Sequence, residues 1–203
     1  MTALIIDGKK YADEIREEVA QKVKLRVAGG KNVPGLATVL VGDDAASRTY
    51  VRSKHKACQQ AGIQSFSHEL PADCSQEEVE VLIQQLNHDT RVNGILVQLP
   101  LPKHIDEEKV IDTIAREKDV DGFHPGNVAG LWLGKDCIVP CTPAGIMRLI
   151  DNIGFELKGK TAVVVGRSNI VGKPVAKLLL DRHATVIIAH SRTADLGAIT
   201  RQA

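Results

Sequence analysis

Gly35-Leu36-Ala37-Thr38-Val39-Leu40-Val41, followed closely by Ser47-Arg48-Thr49-Tyr50-Val51-Arg52-Ser53-Lys54-His55-Lys56-Ala57, decides the fold. The first run is short and apolar, as in a parallel strand buried on both faces. The second reads as the opening turns of a helix, with Ser47 as its N-cap. A strand that runs directly into a helix is half of a β-α-β unit. Tyr50 and Lys54 are four residues apart, so a helix places both side chains on one face, one turn from each other. A phenol beside an ammonium can orient a flat polar substrate and move a proton. By itself the pair reads first as a solvated lysine above a half-buried tyrosine.

The same alternation runs outward on both sides. Upstream, Tyr11, Ile15, Val19, Val23 and Val27 recur every four residues, which predicts a helix over Lys10–Ala28 closed by Gly29-Gly30. Downstream, Ile63–Leu70 is a second strand. Ser75-Gln76-Glu77-Glu78 is a capping box opening a helix with Val79, Leu82, Ile83 and Leu86 on its apolar face. Gly94–Leu99 is a third strand, stopped by Pro100 and Pro102, and Asp106–Arg116 is a helix. Strands alternating with helices predict a parallel sheet covered on both faces. In such sheets ligands bind beyond the carboxyl ends of the strands, where Tyr50, Lys54 and Gln98 fall. An amide ending an apolar run needs a hydrogen-bond partner when buried; otherwise Gln98 is a polar residue on an edge strand.

Lys118-Asp119-Val120-Asp121-Gly122-Phe123-His124-Pro125 reads as a loop. Asp121 before Gly122 either caps the turn or accepts hydrogen bonds from an amino-substituted heterocycle. Leu131–Val139 is expected to be irregular. Thr142-Pro143 is expected to open a helix, with Thr142 as N-cap and Ile146, Leu149, Ile150 and Ile153 facing the core. Gly159–Gly166 is then a strand leading into Arg167-Ser168-Asn169-Ile170-Val171-Gly172, a helix over Pro174–Asp181, and a strand over Ala184–Ala189. A glycine-bearing turn between strand and helix lets phosphate meet helix N–H groups. The usual dinucleotide fingerprint is altered, with Ser168 in place of its middle glycine. The second strand ends in His190-Ser191-Arg192, without the acid that would bind the ribose hydroxyls of NAD. With Arg167 in the loop, that pattern favours the 2′-phosphate of NADP.

The fold class is therefore α/β: an N-terminal parallel-sheet domain over 1–122 and the first part of a Rossmann-like NADP-binding domain over 123–203. The net charge is +1 with no long basic run, and aromatics make up only 3% of the chain. Neither a nucleic-acid nor an anionic-membrane partner has electrostatic support. No signal peptide or spanning segment is visible. Cys58, Cys74, Cys137 and Cys141 match no disulfide framework or zinc site, and the seven histidines show no metal-ligand spacing. Reduced thiols in the cytoplasm are expected, and no metal.

Taken together, Tyr50-Val-Arg-Ser-Lys54, Gly94-Ile-Leu-Val-Gln-Leu-Pro-Leu-Pro102, Lys118–Pro125, Pro140-Cys-Thr-Pro143 and Val163–Pro174 resemble the bifunctional methylenetetrahydrofolate dehydrogenase/methenyltetrahydrofolate cyclohydrolase family, in the family's order. The resemblance implies a folate substrate, NADP and a homodimer. It implies that Lys54 is the central catalytic group, that Tyr50 holds the pterin and one-carbon unit, that Gln98 hydrogen-bonds and tunes Lys54, and that Asp121 anchors the pterin. It extends the substrate contacts to Val51, Arg52, Ser53, Val97 and Leu99, and gives the cofactor to Gly166, Arg167, Ser168 and Ser191. A lysine ammonium is a poor base at neutral pH, so the site has to desolvate it. The family continues past the position of Ala203, so a fragment of a longer product is expected. Its alternative role is folate binding or dimerisation without turnover.

Overall fold

The computed structural model describes residues 3–203. The chain divides into two compact units, one of residues 9–120 and one of residues 121–203 together with the N-terminal segment. The division falls after Val120, two residues before the boundary expected from the sequence.

The first unit contains α1 (Gly8–Ala28), β1 (Gly35–Val41), α2 (Ala45–Ala61), β2 (Gln64–Leu70), α3 (Gln76–His88), β3 (Gly94–Val97) and α4 (Glu107–Thr113), then a 3₁₀ turn at Arg116–Lys118. The strands form a parallel sheet in the order β2-β1-β3. Ala37 pairs with Phe66 on one side and with Ile95 on the other. The central β1 is buried along nearly its whole length, and β3 throughout. The core joins Ala37, Val39, Val79, Ile83, Val92, Ile95 and Val110.

Local chemistry sets the helix ends. Ser75 and Glu78 cap α3 reciprocally: the Ser75 N–H donates to Glu78 Oε2 at 2.6 Å, and the Glu78 N–H to Ser75 Oγ at 3.2 Å. The Ser75 N–H, donating to the carboxylate, holds the Glu78 carboxyl below its ordinary pKa. The cap of α2 is Asp44, not Ser47. Its carboxylate accepts from the Ser47 N–H at 2.7 Å, while Ser47 is buried inside the first turn. A carboxylate at the cap also suits the positive end of the helix, so Asp44 wins over the serine three residues on. The predicted stripe on α1 has the right period, but only Val23 is buried; Ile15 and Val27 stay exposed.

The second unit contains α5 (Pro125–Leu133), α6 (Cys141–Asn152), β4 (Thr161–Val165), α7 (Gly172–Asp181), β5 (Thr185–Ala189) and α8 (Leu196–Thr200). β4 and β5 pair in parallel, and Met147, Leu157, Val175, Leu179 and Ala184 form the core. Two expectations fail here, and one element, α8, was not expected at all. The stretch read as loop and irregular chain contains α5. His124 Nδ1 accepts from the Gly126 N–H at 3.0 Å, Pro125 takes the first helical position, and Gly134 closes the helix at φ 64°. α6 starts at Cys141, so Thr142 lies inside it and makes no cap, and Pro140 precedes it. α8 follows the cap Asp195, whose carboxylate accepts from the Ala198 N–H at 2.8 Å.

Candidate functional site

In the first unit, chemistry gathers at the carboxyl ends of β1 and β3. α2 starts four residues past the end of β1, and Gln98 directly follows β3. The Gln98 N–H donates to the Val39 carbonyl at 2.9 Å, which extends the sheet pairing by one residue and fixes the direction of the side chain. Its carboxamide is held at both ends. Nε2 donates to the Leu99 carbonyl at 2.7 Å, and Oε1 accepts from Lys54 Nζ at 3.0 Å. The two partners admit one orientation, because the ammonium can only donate and the carbonyl can only accept. Lys54 and Gln98 are both half-buried. A lysine ammonium has three N–H bonds, and Gln98 engages one, leaving the group able to donate to a substrate while its position is fixed.

Tyr50 lies one turn before Lys54 on α2 and is 62% exposed, more open than the sequence reading expected. Val51 and Val97 are buried beneath the surface, Leu99 is half-buried, and Arg52 and Ser53 are exposed. Arg52 and Val51 also line a cavity of about 330 Å³, with Arg48 and His55 on the same helix and Ser67 and Glu69 on β2. That cavity contains none of Tyr50, Lys54 and Gln98. Asp121 is half-buried and opens the second unit, beside Gly122. Gly122 has φ 71°, and a Cβ there would fall 2.6 Å from the Ile138 carbonyl oxygen, so this turn requires glycine.

In the second unit, the loop between β4 and α7 is drawn tight. Ser168 Oγ accepts from the N–H groups of Val171 and Gly172, both at 3.2 Å. A Cβ at Gly172 would press on the Gly166 carbonyl group and lie 2.9 Å from the Arg167 nitrogen. The fingerprint's landmarks therefore have physical work: Ser168 ties the loop, and Gly172 lets the helix start meet the strand end. Arg167, Ser168 and Ser191 are exposed and Gly166 is half-buried, so this loop has its charged and polar groups outward. Among the described residues, no group of three or more His, Cys, Asp or Glu side chains could hold a metal ion. No described helix is long and apolar enough to cross a membrane.

Two further residues hold elements of the first unit in place. Asp44 starts the helix that carries Tyr50 and Lys54, and its place just after Gly42 was the signal. Lys118, read only as part of a loop, donates to three carbonyls at the end of α3, and nothing in its neighbours announces that.

Residues 6–121 match the family described as tetrahydrofolate dehydrogenase/cyclohydrolase, catalytic domain, and residues 140–203 match the NAD(P)-binding domain of the same description. The chain is 62% identical to the bifunctional protein FolD of Moorella thermoacetica, over all of this chain and 72% of that protein. A bifunctional FolD structure from Campylobacter jejuni superposes with a TM-score of 0.96 at 47% identity, covering 98% of this chain and 71% of the other. The methylenetetrahydrofolate dehydrogenase-cyclohydrolase of Trypanosoma brucei, solved with NADP and an inhibitor, gives a TM-score of 0.95 at 41% identity, covering 100% and 70%.

Proposed function

The chain belongs to the tetrahydrofolate dehydrogenase/cyclohydrolase family, and from that premise we propose how its residues carry out two consecutive steps on one folate. The first step oxidises 5,10-methylenetetrahydrofolate to the 5,10-methenyl cation. The second adds water to the methenyl carbon and gives 10-formyltetrahydrofolate. The observation that carries the assignment of residues is the Lys54–Gln98 hydrogen bond at the carboxyl end of the sheet.

Hydrolysis needs a proton removed from the attacking water and a proton delivered to N5 as the carbon–nitrogen bond opens. Lys54 Nζ is the group assigned to that traffic, and Tyr50, one turn away, holds the pterin and one-carbon unit. Gln98 keeps the amine aimed through Oε1. Asp121 is assigned to the amino-substituted edge of the pterin, which a carboxylate accepts bidentately. Val51, Arg52, Ser53, Val97 and Leu99 complete the substrate surface.

NADP supplies the hydride acceptor for the first step. The residues present fit it: Gly166 and Gly172 approach closely where β4 meets α7, and Arg167 in that loop and Ser191 after β5 are exposed polar groups that would hold its phosphates. The protein's part in that step is to orient the two rings and exclude water. The parts assigned are 1–122 for folate and 123–203 for NADP.

The working unit we assign is a homodimer in the cytoplasm. β2 is an edge strand of its sheet, which supports pairing with a second copy. Cys58 and Cys74 are buried free thiols, as expected of a chain in a reducing compartment. The test of the assignment is Lys54→Met, assayed for loss of the methenyl compound. Abolished hydrolysis with retained folate binding is expected; hydrolysis at the parent rate would overturn the role of Lys54.

A further inference from the structure

We infer that Lys118 is a positioning residue for the folate site: its ammonium clamps the end of α3 and thereby fixes the point from which Asp121 leaves the first unit. The inference rests on the assignment of Asp121 to the pterin. Lys118 Nζ donates to the carbonyls of Leu86 at 3.1 Å, Asn87 at 2.7 Å and Asp89 at 3.0 Å. These are carbonyls at the end of a helix, which lack intrahelical partners and carry the negative end of its dipole. An ammonium has three donors, and here all three find an acceptor, so the side chain is held in one place.

Two further ties act on the same short segment. The Asn87 carboxamide, at the end of the same helix, donates to the Thr113 carbonyl at 2.7 Å and accepts from the Ala115 N–H at 2.9 Å. The Val120 N–H donates to the Ile95 carbonyl on β3 at 3.4 Å, and the Val120 side chain lies where only glycine, Gly94, leaves room on the strand. Asp119, between them, bridges to Ile95 and is almost completely buried. Residues 113–120 are thus pinned to the end of α3 and to β3, and Asp121 is the next residue. Of these ties, Lys118 is the one that spans from the segment to α3 by a charged side chain.

Chain geometry explains why this bears on binding. Asp121 is one peptide bond beyond a pinned residue, so a loose take-off would spread its carboxylate over positions a pterin cannot use. Misplacement by about an ångström can cost a hundredfold in function. A clamp that acts through Asp121 should affect substrate binding and leave the proton-transfer group, Lys54 on a different helix, unaltered.

The experiment is a double-mutant cycle on the full chain, with 5,10-methenyltetrahydrofolate as the probe, reading KM and kcat for its hydrolysis and Kd by titration. Lys118→Met is expected to raise KM and Kd about tenfold, with kcat within about twofold of the parent. In an Asp121→Asn background the same change is expected to cost less than about twofold, because the group it positions is already gone. Lys118→Arg, which keeps a cation and several donors, should recover most of the loss; it also carries the test should Lys118→Met not fold. A Tm shift with unchanged KM and Kd, or effects that multiply in the double variant, would reduce Lys118 to a helix cap and overturn the inference. Unchanged KM and Kd in Asp121→Asn alone would instead overturn the assignment of Asp121.

Discussion

Replacing Gly172 with alanine tests the loop assigned to the cofactor at its tightest point. The new Cβ would fall 2.7 Å from the Gly166 carbonyl carbon and 2.9 Å from the Arg167 nitrogen, with the Gly166 oxygen nearer still. All three are backbone atoms, so no side-chain rotation relieves them. Carbon atoms sit comfortably at about 3.5 Å or more, so strand end and helix start must part by about 0.8 Å. Overpacking of this kind costs about 1–3 kcal/mol. The displacement also loosens the Ser168 hydroxyl from the Val171 and Gly172 N–H groups, the clasp that closes the loop. If binding must restore the loop, that energy appears as NADP affinity lowered about 5- to 150-fold, at about 1.4 kcal/mol per tenfold. Isothermal titration with NADP reads it, with titration of a folate analogue beside it. Gly145→Ala is the control. Nothing lies within 4 Å of its Cβ inside α6, so it should leave NADP binding alone and stabilise by about 0.5–1 kcal/mol. NADP affinity within twofold of the parent in Gly172→Ala, with an unchanged Tm, would refute the reasoning.

Arg167→Ala should weaken NADP by about 1.5–3 kcal/mol while leaving NAD nearly unchanged, as titration of both cofactors would register; equal weakening would remove Arg167 from the 2′-phosphate. Ile83→Ala removes a completely buried side chain from the core of the first unit and should cost about 2–5 kcal/mol in urea unfolding; a loss below 1 kcal/mol would mean that the site collapses around the gap. Asp89 is held down to about 2 by hydrogen bonds from Arg91 and by the charges of Arg91 and Lys118, so its contribution is complete above the ordinary carboxylate pKa and is lost as pH falls toward 2. Arg91→Ala should therefore flatten the fall in stability between about pH 4 and 2, seen as a smaller pH dependence of Tm; an unchanged slope would acquit the pair.

The sequence pattern was most legible where one physical demand acted alone. A strand buried on both faces must be apolar throughout, and β1 is. A helix end with Ser75 and Glu78 at the capping-box spacing has one good solution, and the structure uses it. Legibility fell where two residues competed for one duty. Asp44 and Ser47 can each cap α2, and only the fold shows Ser47 buried in the turn. Thr142 has the chemistry of a cap, but α6 already runs from Cys141 with Pro143 buried inside its first turn. α5 carries a proline at its first position and a glycine at its end, helix signals that stand inside a stretch otherwise expected to be loop and irregular chain. On α1 the spacing of Tyr11, Ile15, Val19, Val23 and Val27 correctly implied a helix, yet a period says nothing of what covers the face.

For the site, spacing within one helix was enough to bring Tyr50 near Lys54, because geometry over one turn follows from the helix itself. Lys54 and Gln98 are 44 residues apart, and their hydrogen bond depends on β1 and β3 being sheet neighbours. Strand order is a property of the whole sheet; residue types hinted at it only through the rule that ligands gather at carboxyl ends. Lys118 lies a step beyond that. Its partners are three backbone carbonyls, and carbonyls have no residue type, so no motif can encode the contact. The groups assigned to chemistry on folate are thus easier to find in a sequence than the groups proposed to hold them still. A change at Lys118 would look conservative or irrelevant on paper while altering where Asp121 begins.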